Sequence, residues 1–250
     1  MIPRIIHQIY FDFKKRPESK NFRSIEEFRA GFDKTNQYCE LNKIQHKLWT
    51  EQQIDQLIEY EFPDLMELWN SFRYKIQKVD LAKFLILYIH GGIYLDLDCH
   101  PIRDINHLFD EPYFFTRWND SQLPYTACLG TISQHPLFKE IIEHCKYSTY
   151  QKQEMNRYDT WHARLIFQTT GHFMLQRVLK KNKIQNYKNI MFIYNTQKNL
   201  HVSPPPNQAL FADSSASVWY TKDDIVESGE YLPNWNNTPN DVLKISLETK

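Results

Sequence analysis

The chain has no excess of charge, no cysteine pair at metal-ligand spacing and no long apolar run. Its 30 acidic residues balance 30 basic ones, so neither a nucleic-acid-binding surface nor an acidic tail is expected. No window of about 18 apolar residues exists, and no membrane span is therefore predicted. The cysteines contain no CxxC pair, which argues against a zinc site and a disulfide framework. They are Cys39, Cys99, Cys128 and Cys145.

The amino-terminal segment also lacks the apolar stretch and the small-residue cleavage site of a secretory leader. Together with the scattered cysteines, this predicts reduced thiols and a cytoplasmic location. A length of 250 residues is enough for one large domain with a substantial core. We expect residues 1–250 to form a single domain.

Strand-like and helix-like segments alternate along the chain, with Thr50 and Gln53 forming a capping box at the start of one helix. The predicted strands are residues 4–11, 44–49, 113–118, 125–132 and 190–194. The predicted helices are residues 22–32, 50–60, 64–70, 76–89, 136–147 and 158–181, the last broken near Gly171. The final fifty residues, rich in proline, asparagine and serine, are expected to be irregular. This alternation predicts an α/β domain with a mostly parallel central sheet flanked by helices.

The stretch HGGIYLDLDCH, from His90 to His100, carries the most informative pattern. Its glycines should end the preceding helix and permit a sharp turn. A short strand would then carry Asp96 and Asp98, and residues two apart in a strand project to the same side. Two adjacent carboxylates repel unless a positive charge lies between them, and magnesium or manganese prefers such oxygen ligands. A surface loop with two solvated acids is the alternative.

Asp80 and Lys83 lie three residues apart on the predicted helix 76–89 and therefore share a face. An intrahelical ion pair near the surface is the ordinary interpretation. The neighbouring residues are apolar, however, and a charged pair in such a helix is costly unless it faces a polar cavity. The pattern favours a place for this pair in the same site as the two aspartates.

The segments IPRIIHQIY, LWT and VDLAKFLILYIHGGIYLDLDCHPI resemble the family 32 glycosyltransferases. These DXD-containing sugar transferases include fungal mannosyltransferases and, more distantly, the clostridial glucosylating toxins. Looser matches are TTG at Thr169–Gly171 and the Ser-x-Trp element at Ser217 and Trp219. The resemblance implies a Rossmann-like GT-A fold, with a nucleotide-sugar-binding half at residues 1–110. It also implies an acceptor-side half at residues 111–250.

The same resemblance assigns roles to the acidic and basic residues already singled out. Asp96 and Asp98 match the motif that holds Mn²⁺ or Mg²⁺ and, through it, the donor diphosphate. Asp98 is the better candidate for direct metal contact, and Asp96 for ribose or water-mediated contact. Asp80 matches the aspartate that touches the donor sugar or ribose. Lys83 stands where the family usually has arginine, and lysine keeps the charge but loses the bidentate fork.

The resemblance implies further donor contacts around the first two strands and the glycine turn. The implied donor-binding residues are Ile6, His7, Gln8, Tyr10, Trp49, Gly91, Gly92, Tyr94 and Trp219. The family often closes its metal site with a carboxy-terminal histidine, which the stretch FADSSASVWY lacks. Asp213 or Ser217 would then supply the third protein ligand.

The predicted function is metal-dependent transfer of a hexose, with retention at the anomeric carbon. UDP-glucose, UDP-galactose and GDP-mannose are all possible donors, and a glycan, glycolipid or protein is the acceptor. Two alternatives stay open. One is a metal-dependent hydrolase of sugar or phosphoester bonds, and the other is a non-catalytic module that binds a nucleotide or carbohydrate.

Overall fold

Strands and helices alternate through the first part of the chain, as the sequence predicts. The computed structural model describes residues 1–11, 25–72, 74–118, 123–153, 162–184, 188–192 and 209–213. The helices are α1 (Ile25–Asn42), α2 (Glu51–Glu61), α3 (Met66–Ser71), α4 (Lys75–His90), α5 (Pro136–Gln153), α6 (His162–Thr169) and α7 (His172–Lys181). The strands are β1 (Ile5–Tyr10), β2 (Gln45–Thr50), β3 (Gly92–Leu95), β4 (Cys99–Pro101), β5 (Tyr113–Trp118), β6 (Pro124–Thr131), β7 (Lys188–Phe192) and β8 (Phe211–Asp213). Short 3₁₀ turns cover Pro63–Leu65 and Asn106–Asp110.

The strands form one sheet in the order β2-β1-β3-β6-β5-β7-β8-β4. Parallel pairs join β1 to β2 and β3, β5 to β7, and β7 to β8. Antiparallel pairs join β6 to β3 and β5, and β8 to β4. This confirms the α/β class with a mostly parallel central sheet. Because β1, β2 and β3 run parallel, their carboxyl ends meet at one edge, where ligands bind in open α/β sheets.

Two apolar clusters lie on opposite faces of the sheet. On β3, Tyr94 belongs to one cluster, while Ile93 and Leu95 belong to the other. Successive strand residues point to opposite faces, so the sheet separates the clusters. Helix α4 lies on the Tyr94 side and is buried along most of its length, with Phe84 fully enclosed. A charged residue on this helix therefore sits inside the protein.

Several local signals act as the sequence predicts. Thr50 caps α2 in a capping box. The Thr50 side chain accepts from the Gln53 amide, and the Gln53 side chain accepts from the Thr50 amide. Gly91 ends α4 with φ of 64°. The helix predicted at 158–181 is broken, with Gly171 capping the start of α7. Helix α1 is much longer than the predicted 22–32, since it continues to Asn42.

Two predicted absences can be compared with the structure. All four cysteines are buried and free. Among the described residues, no helix is both long and apolar enough to cross a membrane. The predicted irregular carboxy-terminal segment lies almost entirely outside the described residues, of which this region includes only 209–213.

We predict that Gly92→Ala destabilises the fold strongly. Gly92 has φ of 97°, and an added Cβ would lie 2.8 Å from the carbonyl oxygen of Ile5. Strain in this backbone region costs about 1–3 kcal/mol, and the contact with β1 adds to it. Chemical denaturation monitored by circular dichroism measures the loss. Gly171→Ala is the control, because the nearest atom to its added Cβ lies at 3.0 Å and no left-handed φ is involved. An equal loss in both variants would contradict the prediction.

Candidate active site at the Asp96–Asp98 turn

The two aspartates of the DXD sequence lie on a turn, and the prediction that one strand carries both is wrong. Strand β3 ends at Leu95, and β4 begins at Cys99. The Asp96 amide donates to the carbonyl oxygen of Ala127 at 2.8 Å, and the Cys99 amide donates to that of Asp96 at 2.8 Å. The chain turns here because β4 leaves β3 to pair with β8. The two-residue repeat of a strand therefore does not apply, although both acidic side chains keep partial exposure.

The ammonium of Lys83 joins the helix to this turn. Its Nζ lies 2.9 Å from Asp80 Oδ1 on the same helix and 3.0 Å from Asp96 Oδ1 on the turn. The side chains of Lys83 and Asp80 are only 2% and 8% exposed, whereas that of Asp96 is 31% exposed. The structure thus brings together three of the four predicted catalytic residues, and the fourth, Asp98, lies on the same turn.

Two hydroxyl groups complete the polar cluster. Tyr94 donates to Asp96 Oδ1 at 2.8 Å, and Thr170 donates to Asp80 Oδ2 at 3.3 Å. Thr169, beside Thr170, accepts a hydrogen bond from Gln77 of α4 at 2.9 Å. The loose TTG match therefore marks the corner where α6 meets α4. Sequence reasoning noted the motif without assigning Thr170 a role.

Burial and neighbouring charges act on the cluster in opposite directions. Burial raises the pKa of Asp80, and the charge and hydrogen bond of Lys83 oppose that rise. Burial lowers the pKa of Lys83, but the charges of Asp96 and Asp80 outweigh it, and the pKa is raised overall. Lys83 is therefore protonated at neutral pH. Burial and the Asp96 charge raise the pKa of Tyr94 well above its usual range, so its hydroxyl stays neutral and donates. With Asp80 ionised in its ion pair, two carboxylates and one ammonium carry a net charge of −1, to which an ionised Asp98 adds a further negative charge.

His7 and Trp49 form a second polar group, which contacts the glycine turn. Trp49 Nε1 donates to His7 Nδ1 at 3.1 Å, which leaves His7 Nε2 to donate to the Gly91 carbonyl oxygen at 2.9 Å. Burial lowers the pKa of His7 to about 3, so the ring is neutral. Ile6 is fully buried in the apolar core. The observed contacts of Ile6, His7 and Trp49 are internal, and a donor contact by any of them stays a prediction.

The remaining predicted residues lie at three places. Tyr10 is 37% exposed at the carboxyl end of β1, the sheet edge that leads to the turn. Asp213 pairs with Cys99 across β8 and β4, is 1% exposed, and accepts a hydrogen bond from the Tyr125 hydroxyl. Ser217 and Trp219 lie outside the described residues.

The part of the chain that contains this turn is similar to a known protein family. The family described as "Glycosyltransferase sugar-binding region containing DXD motif" matches residues 21–115. Residues 21–115 are therefore similar to a DXD glycosyltransferase region. The family resemblance predicted from the sequence is thereby confirmed.

Similar proteins agree with this identification of a glycosyltransferase region. Mannosyl phosphorylinositol ceramide synthase CSH1 of Saccharomyces cerevisiae is 27% identical over 89% of the chain and 54% of its own length. Inositol phosphoceramide mannosyltransferase 1 of Schizosaccharomyces pombe is 28% identical over 70% of the chain and 50% of its own length. The chain thus spans about half the length of these curated relatives.

One solved structure, named PaToxG Glycosyltransferase, covers 72% of this chain and 70% of its own. Its sequence identity is 13% and the TM-score is 0.48. Because the TM-score is below 0.5, the fold is described from the strand order and pairing given above.

The Asp96–Asp98 turn carries two carboxylates that could contribute to a metal site. Among the described residues, no group of three or more His, Cys, Asp or Glu side chains is arranged to hold a metal. Asp96 and Asp98 are nevertheless partly exposed carboxylates on one turn, with a net negative charge around them. Magnesium is usually held by one or two carboxylates together with substrate phosphates and water. The residues present fit a cation that is shared with a diphosphate ligand.

We predict that Lys83→Met destabilises the protein by about 3–5 kcal/mol, because it leaves a buried carboxylate without its counter-charge. The double variant Asp80→Asn/Lys83→Met should recover part of this loss, since it removes the uncompensated charge as well. Lys83→Arg keeps the charge but needs more room between α4 and the turn, so its loss should lie between that of Lys83→Met and zero. Urea denaturation at neutral pH measures all three. A loss in Lys83→Met below about 1 kcal/mol, the scale of an exposed ion pair, would contradict the buried arrangement.

Proposed function

We propose that the chain is a metal-dependent hexosyltransferase that takes a hexose from a nucleotide sugar and passes it to an acceptor hydroxyl. The observation that carries the proposal is the contact between Lys83 and Asp96 at 3.0 Å, inside the region that matches the DXD family. It holds one carboxylate of the motif at a sheet edge where ligands bind, and leaves Asp98 beside it, partly exposed.

In this proposal, a bound Mn²⁺ or Mg²⁺ would supply positive charge to the departing diphosphate. Asp98 and Asp96 are the residues that would hold the cation. Lys83 contacts two carboxylates and is 2% exposed, so it acts on the leaving group through Asp96 rather than directly. Tyr94 fixes the same carboxylate oxygen through its hydroxyl. Retention at the anomeric carbon is part of the proposal and rests on the family resemblance.

Among the donors that the sequence leaves open, we favour GDP-mannose, because the names of several similar proteins describe mannosyltransferases. The same names describe inositol phosphoceramide as the acceptor, and we propose a lipid-linked inositol phosphate acceptor for this chain. The proposed cytoplasmic location rests on the cysteine pattern of the sequence alone.

Donor choice can be tested by thermal-shift measurements with Mn²⁺ and each of GDP-mannose, UDP-glucose and UDP-galactose. A ligand present at about 100 times its Kd stabilises the folded state by about 2.7 kcal/mol, so the true donor should raise the melting temperature clearly. We expect the largest shift with GDP-mannose. A larger shift with either UDP-sugar would replace the proposed donor.

We predict that Asp98→Asn abolishes metal-dependent cleavage of the donor and leaves the fold intact, because it removes a carboxylate charge from a partly exposed turn. Mass spectrometry of the products with the donor, Mn²⁺ and an inositol phosphoceramide acceptor measures the reaction. Asp33→Asn, an exposed aspartate on α1, is the matched control and should keep full activity. Full activity in Asp98→Asn would contradict the assigned role. Free hexose without a new glycosidic product in the wild-type protein would favour the hydrolase.

A further inference from the structure

Helix α1 approaches the DXD turn so closely that only glycine fits at the contact. A Cβ added to Gly31 would lie 2.4 Å from the carbonyl oxygen of Leu97 and 2.9 Å from the Cα of Asp98. Both are backbone atoms of the turn, which cannot rotate away as a side chain can. The helix therefore lies against the peptide that joins the two aspartates.

One helical turn further along α1, a hydroxyl group holds the end of the same turn. Thr35 is fully buried, and its Oγ1 donates to the Cys99 carbonyl oxygen at 3.1 Å. Residues four apart share one face of a helix. Gly31 and Thr35 thus contact the turn from the same face of α1. Gly31 leaves room for the backbone of the turn, and Thr35 donates a hydrogen bond to it.

A relay of polar side chains holds the turn from the strand side. Gln8 Nε2 donates to the Asp96 carbonyl oxygen at 3.1 Å and reaches that of Cys99 at 3.5 Å. Because carbonyl oxygens only accept, the amide nitrogen of Gln8 must face them, and its Oε1 must face His46. His46 Nε2, 2.9 Å from Gln8 Oε1, therefore carries a proton and donates to it. Burial lowers the pKa of His46, so its ring is neutral and Nδ1 carries no proton. Nδ1 and Asn36 Oδ1, 3.0 Å apart, are then both acceptors, and the relay ends at His46.

We propose that helix α1 and the Gln8–His46 relay are a positioning device for the DXD turn. Gly31, Thr35 and Gln8 contact the backbone of residues 96–99 rather than the carboxylates themselves, so they fix where the carboxylates of Asp96 and Asp98 point. These contacts set the affinity of the turn for its cation and for the nucleotide-sugar donor. This effect on affinity rests on the proposed function. These residues are positioning residues.

The first test compares Thr35→Val with Thr35→Ser. Valine keeps the shape of threonine and removes the hydroxyl, whereas serine keeps the hydroxyl and loses a methyl group. Hydrogen exchange of the Cys99 amide, measured by mass spectrometry on the free protein, should quicken about fivefold in Thr35→Val, which is the loss of about 1 kcal/mol. The increase should be small in Thr35→Ser. Equal exchange in both variants would overturn the role of Thr35.

The second test substitutes the two residues of the relay, Gln8 and His46. Gln8→Glu keeps the shape of the side chain but directs an oxygen at two carbonyl oxygens, so it should release the turn. His46→Gln keeps a donor near the position of Nε2 and should preserve the turn, whereas His46→Leu removes it. The readouts are exchange of the Cys99 amide and the Mn²⁺ concentration that gives half-maximal donor turnover. Wild-type values for both readouts in Gln8→Glu and His46→Leu would overturn the relay.

A third comparison uses Gly31→Ala. Alanine is about 1 kcal/mol more favourable than glycine within a helix, so a purely local effect would stabilise α1. We expect faster exchange of the turn and a several-fold higher Mn²⁺ requirement. Asp33→Ala on the exposed face of α1 is the control and should match the wild type. If Gly31→Ala does not fold, Thr35→Val still decides the proposal.

Exchange in the free protein does not depend on turnover. If the wild-type protein turns over no nucleotide sugar, the proposed function fails while the positioning device is still tested. If turnover is normal but none of the variants changes the exchange or the Mn²⁺ requirement, the positioning device fails alone.

Discussion

The site depends on one buried ammonium held between two carboxylates. Lys83 Nζ contacts Asp80 on its own helix and Asp96 on the turn after β3, at 2.9 and 3.0 Å. The first contact is local, whereas the second fixes the distance between α4 and the turn. Because a lone charge inside an apolar helix is costly, the buried Lys83 and Asp80 require each other. The position of the first motif carboxylate is therefore tied to the packing of the buried helix α4.

A buried ion pair is weak evidence for stability, because an apolar packing of the same volume is often as stable. The described contacts indicate what this cluster provides instead. Tyr94 and Lys83 both bind the same oxygen of Asp96, and Thr170 and Lys83 bind opposite oxygens of Asp80. Each carboxylate is thus held in one orientation. Such order suits a site that must present a carboxylate to a cation in a fixed place.

The local parts of this arrangement could be predicted from sequence, and the distant parts could not. The period of α4 placed Asp80 and Lys83 on one face, and Thr50 with Gln53 formed the capping box. The turn at Asp96–Asp98 was missed because it exists only where β4 pairs with β8 from far along the chain. Gly31 and Thr35 were missed because α1 matches none of the motifs identified in the sequence. The close approach of two backbones also produces no recognisable spacing of residues along the chain. The TTG corner was found by resemblance, but only the fold shows that Thr170 reaches Asp80.

The lysine at position 83, where the family usually has arginine, also has a physical explanation in this geometry. An ammonium is a compact charge with three donors, and here two carboxylate oxygens lie within 3.0 Å of one nitrogen atom. An arginine fork is planar and matches one carboxylate with two parallel bonds, so it would need more room between α4 and the turn. The Tyr94 ring, 5.3 Å from Nζ, lines the same space. Lysine therefore suits a close approach of helix and turn.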